Sequence, residues 1–157
     1  LTGSEEICSD GYVVDFGDIK KETRAICKLL NERFLCPMKS KSMKITEEGA
    51  QLCLRCEDGA YFSFPKEDCV ELPIFHSSAE ELSHWIWCTL TRRIGLPKLH
   101  SSGIKSLEIG VTETPIQTAI FRAPVPISED ALRLEENRVL LRAPRRCGDV
   151  NGEDGIL

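Results

Sequence analysis

Between Ser106 and Thr114, Leu107, Ile109 and Val111 alternate with Ser106, Glu108, Gly110 and Thr112, the period of a half-buried strand. Glu113 falls next on the apolar parity. A carboxylate at the end of a buried stripe is costly to desolvate unless N–H donors meet it, so this strand is expected to deliver an acceptor into a sheltered place. A strand-end glutamate in solvent, or one paired with an arginine, fits the local pattern equally well. Cys53-Leu54-Arg55-Cys56, with Cys36 and Cys69 outside it, offers four thiolates to a zinc ion. Against that, residues three apart in a strand point to opposite faces, and the second cysteine pair lacks knuckle spacing. His76, His84 and His100 are scattered, which suits surface or capping groups better than metal ligands.

The elements that position these residues follow from periodicity. Thr114-Pro115 turns the chain and Ile116 to Arg122 returns as a second strand. Ser78 and Glu81 form an S-x-x-E capping box, which starts a helix whose inward stripe is read as Leu82, Trp85, Ile86, Thr89, Leu90 and Arg93. Gly95 and Pro97 stop it. Ile19, Thr23, Ile26 and Leu30 place another amphipathic helix over 17–33, with Asp15 as its N-cap. Met38 to Lys44 is read as a basic solvated loop. Gln51 to Arg55 and Ala60 to Phe64 form a β-hairpin around Glu57-Asp58-Gly59. Ser128-Glu129-Asp130 caps a short helix reaching about Leu141, and residues 148–157 are read as a mobile acidic tail.

Composition bounds the class. The 157 residues, 41% of them hydrophobic, suffice for one ordinary domain. A net charge of −5 argues against a general nucleic-acid surface, leaving only the arginine-rich run Arg133, Arg138, Arg142, Arg145 and Arg146 as a local exception. No apolar run approaches a membrane span. The eight cysteines are read as mostly free thiols, Cys27 and Cys88 being buried in helices. This places the protein inside the cell, in the cytoplasm or alternatively the mitochondrion.

Three motifs in order carry a resemblance: Gly11-Tyr12-Val13-Val14-Asp15-Phe16-Gly17-Asp18, Ser78-Ala79-Glu80 leading to Trp85-Ile86-Trp87, and Val111-Thr112-Glu113-Thr114. Together they resemble the 6-pyruvoyl tetrahydropterin synthase family, which includes 6-carboxytetrahydropterin synthases. The resemblance implies an α+β tunnelling fold, an antiparallel sheet with two helices packed on one face, assembled as trimers or hexamers. It covers residues 1–126, with 36–73 as an inserted hairpin region and 127–157 as an extension. It assigns Glu113 to the pterin ring N–H and exocyclic amine, with Ser78 and Thr112 beside it. A planar carboxylate accepting two parallel N–H bonds is a chemically sound anchor for such a ring.

The same resemblance implies zinc-assisted triphosphate elimination from 7,8-dihydroneopterin triphosphate, a carbon–oxygen lyase reaction. Its metal histidines and cysteine belong to two earlier strands, of which Leu1 to Gly3 looks like the end. No metal ligand is therefore expected within this chain, and upstream strands, a partner chain or both are expected to complete the sheet. Asn31 and Glu32 stand where the family carries Asp-His, and neither reproduces that proton relay near neutral pH. The alternatives to an enzyme are a catalytically inactive homologue serving as a structural subunit, and a zinc-stabilised interaction module built on the cysteines.

Overall fold

The computed structural model describes residues 2–3 and 16–141. Strand β1, Thr2–Gly3, lies antiparallel to β7, Ile104–Thr114, with Thr2 opposite Ser106 and Gly3 opposite Ile104. Strand β8, Gln117–Pro124, pairs with the other edge of β7, so the order is β1-β7-β8. The expected antiparallel sheet and its hairpin are present.

Helix α1, Phe16–Leu30, packs beside α2, Ala79–Ile94, and α2 lies across β7 and β8. Ile26 of α1 is fully buried, as its spacing predicts. The α1 helix ends three residues before the expected boundary, because Glu32 adopts φ 55°, a left-handed conformation that closes the turn. Asp15 lies outside the described residues. Cys27, expected to be buried, is exposed on α1. The inward face of α2 is rotated from the expected stripe: Ser83, His84, Trp87, Cys88, Leu90 and Thr91 are buried. Leu82 and Trp85 instead pack sideways on Val70, Leu72 and Ile74. Two apolar surfaces meet this helix, and a one-stripe reading cannot resolve them.

Gly95, at φ 86° and ψ 137°, breaks the chain between α2 and the short helix α3, Leu96–Ser101. Helix α4, Glu129–Leu141, is capped by Ser128, whose Oγ accepts from the Ala131 N–H at 3.2 Å. It packs on α2, and its Leu132 is fully buried in one cluster with Trp87, Leu107 and Val125. This helix, in the stretch read as an extension, thus belongs to the main core. Arg133 pairs with Asp130 and Arg138 with Glu135, while the remaining arginines of that run and the acidic tail lie outside the described residues.

The segment between α1 and α2 is larger than one hairpin. Strand β2, Phe34–Pro37, pairs in parallel with β6, Cys69–Leu72, which follows a 3-10 turn at Lys66–Asp68. Strands β3, Met43–Glu48, β4, Gln51–Cys56, and β5, Tyr61–Pro65, form an antiparallel meander. The hairpin expected from Gln51 and Ala60 is β4-β5. The start of β3 falls in the supposed basic loop, since its exposed lysine and glutamates hide a strand that only half faces the core. Leu52 and Leu54 bury against Cys36 and Cys69, joining the two small sheets. Among the described residues no helix is long and apolar enough to cross a membrane.

Candidate functional site

The β7-β8 hairpin has one covered and one open face. Leu107 is buried and Ile109 and Phe121 partly so against the helices, whereas Glu108, Gly110, Thr112, Thr118, Ile120 and Arg122 face outward. Opposite residues on the open face satisfy one another: Arg122 Nε donates to Glu108, and Thr112 and Thr118 share a hydroxyl hydrogen bond of 3.0 Å. At the far end the register slips. Thr112 pairs with Thr118 and Thr114 with Gln117, so two steps on β7 match one on β8 and Glu113 is the extra residue of a β-bulge. The bulge breaks the alternation that put Glu113 on the apolar face, and in the single chain its side chain is exposed. The sheltered placement expected from parity is not present within one copy.

Ser78 is the N-cap of α2, its Oγ accepting from the Glu81 N–H at 3.3 Å. The Glu81 carboxylate does not return to Ser78. It accepts instead from the main-chain N–H groups of Phe75, at 2.8 Å, and His76, at 3.1 Å, organising the approach to the helix. Ser77 Oγ donates to the Leu35 carbonyl at 2.6 Å, fastening that approach to β2.

Asn31 and Glu32 are exposed in the turn after α1. Immediately beyond them opens a groove of about 430 Å³ whose apolar wall includes Phe34, Leu35, Met43 and Phe75, with the Arg33 guanidinium and the His76 imidazole among its polar groups. The groove therefore joins the turn after α1 to the start of α2, bringing the neighbours of Glu32 and of Ser78 together. Ser78, Thr112 and Glu113 themselves are not part of its lining. Sequence reading missed this groove because its walls come from segments some forty residues apart; the cation Arg33, next to the Asn31-Glu32 pair, was its one local signal.

The histidines do not converge. His76 edges the groove, and His100 Nε2 lies 2.9 Å from the Pro126 carbonyl. His84 is buried rather than superficial, 3.5 Å from Glu135 and 3.6 Å from the Cys88 thiol, with its ring edge-on to Phe121. Burial, followed by the nearby Glu136 and Glu135, pushes the Cys88 thiol up to about 12. Burial, then Cys69 and Glu71, pushes Cys36 up to about 11. These thiols are poor nucleophiles near neutral pH. Cys53 points away from Cys36 and Cys69, its sulfur 3.7 Å from Ser63 Oγ. Among the described residues no three His, Cys, Asp or Glu side chains come together to hold a metal ion. They do not supply a zinc site, by the cysteines or by the histidines.

Residues 2–124 match the sequence model of 6-pyruvoyl tetrahydropterin synthase, spanning β1 to β8. The chain belongs to that family. A putative 6-carboxy-5,6,7,8-tetrahydropterin synthase from Methanocaldococcus jannaschii is 30% identical over 111 residues, covering 71% of this chain and 66% of its own length. The chain thus spans just under two thirds of that curated relative. The crystal structure of 6-pyruvoyl tetrahydropterin synthase from Plasmodium vivax is 39% identical, with a TM-score of 0.74 over 76% of this chain and 74% of that one. The Plasmodium falciparum enzyme is 35% identical, with a TM-score of 0.73 over 76% and 73%. In this synthase-family chain, α4 lies beyond the matched residues yet contributes Leu132 to the common core.

Proposed function

We propose that the chain is a pterin-binding protein of the synthase type, acting on 7,8-dihydroneopterin triphosphate or a related pterin, with Glu113 as the ring anchor. The observation that carries this reading is the bulge that turns Glu113 out of the β7-β8 ladder, within the family stretch Val111-Thr112-Glu113-Thr114. A freed carboxylate can accept two parallel N–H bonds from the ring edge. Water competes with such bonds at an exposed site, so a neighbouring copy in a trimer or hexamer would strengthen the anchor by excluding it. The resemblance assigns Ser78 and Thr112 to the same ring site as Glu113. In the groove beyond Glu32, whose lining does not include Glu113, Arg33 offers a cation and His76 a ring N–H to the anionic end of a phosphorylated ligand.

The reaction would be triphosphate elimination, a carbon–oxygen lyase step. Zinc, implied by the resemblance, has no ligand set among the described residues, and no step is assigned to it.

The test is titration of the purified protein with 7,8-dihydroneopterin triphosphate, followed by 31P NMR for released tripolyphosphate. Saturable binding lost in Glu113→Gln, with the melting temperature unchanged, supports the anchor. Equal binding by Glu113→Gln and the unsubstituted protein overturns it. Binding without tripolyphosphate release would favour a pterin-binding structural subunit over a lyase.

A further inference from the structure

The Glu113 bulge is bracketed by two cross-strand side-chain contacts. On one side Thr112 and Thr118 share their 3.0 Å hydroxyl bond; on the other Thr114 Oγ1 donates to Gln117 Oε1 at 3.4 Å. Both partners on β8 are adjacent residues, and they face the two β7 residues that flank the extra one. A Cβ placed on Gly110 would lie 3.5 Å from the Thr118 methyl, so that methyl rests over the space the glycine leaves open. Its position constrains the rotamer that aims the hydroxyl at Thr112.

A bulge leaves one residue without a ladder partner, and its strand can relieve this by slipping one position. Such a slip would return Glu113 to the alternation and point its carboxylate elsewhere. We infer that Thr118 and Gln117 are positioning residues: they clamp the bulge on both sides and so fix the direction in which Glu113 is presented to its ligand. This rests on the reading of Glu113 as the pterin anchor, but the clamp itself can be measured without a ligand.

The experiment compares the unsubstituted protein with Thr118→Val, Thr118→Ser and the double variant Thr118→Val with Gln117→Met. It measures amide hydrogen exchange across 112–118, affinity for neopterin and melting temperature. Removing both contacts should speed exchange of the amides flanking the bulge, across 112–118, and weaken neopterin binding by about tenfold each, the size expected for loss of two cross-strand pairs. Thr118→Val should show a smaller change of the same kind, and Thr118→Ser, which keeps the hydroxyl but loses the methyl that aims it, should fall between Thr118→Val and the unsubstituted protein. A general loss of structure would instead lower the melting temperature and speed exchange throughout the sheet. Unchanged exchange at 112–114 in the double variant overturns the clamp. Faster exchange with unaltered neopterin affinity overturns its positioning role. If the unsubstituted protein binds no neopterin while the double variant exchanges faster, the clamp stands and the pterin-anchor reading falls.

Discussion

The indole N–H of Trp87 donates to the main-chain carbonyl of Leu107 across 3.1 Å, joining the buried face of α2 to the middle of β7. Phe121 lies edge-on to the same indole, with ring centroids 5.6 Å apart. Trp87→Phe should retain much of the apolar packing while leaving that carbonyl without its donor, at a cost of about 1–3 kcal/mol. Urea denaturation monitored by circular dichroism would measure the loss. No change would mean that the carbonyl finds another donor.

Leu132→Ala should destabilise the fold by about 2–5 kcal/mol, because its side chain is fully buried against Trp87 in the principal cluster. Arg92 offers a contrast. Its guanidinium makes paired bonds of 2.8 and 2.7 Å to Glu136, but it is 46% exposed, so Arg92→Ala should cost no more than about 1 kcal/mol. Denaturant midpoints for the two variants would show whether apolar burial or ion pairing holds α4 in place.

The Gly95 backbone tests conformation separately from packing. At φ 86° and ψ 137° it occupies a region natural to glycine, while an added Cβ would meet only the Pro97 Cδ, at 3.9 Å. Gly95→Ala should therefore cost about 1–3 kcal/mol through backbone strain alone. In the opposite sense, Glu32→Gly relieves a left-handed non-glycine residue and should stabilise by up to about 1 kcal/mol. Thermal melts of both variants check the signs.

Alkaline pH should weaken the fold through its buried thiols. Cys88 and Cys36 ionise at about 12 and about 11 when folded, both above their ordinary value of 9.0. The unfolded chain releases these protons first, so the stability they contribute is complete below pH 9 and declines through the window up to the folded values. Cys88→Ala and Cys36→Ala should each flatten this decline relative to the unsubstituted protein in denaturant titrations from pH 8 to 11. Identical slopes would exclude the thiols as the cause.

Much of the architecture was legible because its signals are local. The β7-β8 hairpin, the caps at Ser78 and Ser128, and the spacing of Ile19 and Ile26 all act within a few residues. What escaped depends on distant partners. The parallel pairing of β2 with β6 joins residues about thirty-five positions apart, and the face of α2 is set jointly by the sheet and by Val70, Leu72 and Ile74. Leu132 gives no local sign that its helix completes the core. The candidate site divides similarly: Glu113 and Ser78 stand out in sequence, whereas the bulge that exposes Glu113 requires knowing that Thr114 meets Gln117.

The burial of Leu132 beside Trp87 also bears on how the chain is made. Synthesis is vectorial, and α2, β7 and β8 emerge before the residue that covers their shared apolar surface. Until α4 leaves the ribosome, that surface remains open to chaperones and to other nascent chains. A pause in translation that falls after β8 has emerged, while α4 is still inside the exit tunnel, would lengthen this exposure, an influence on yield that the finished fold would not reveal.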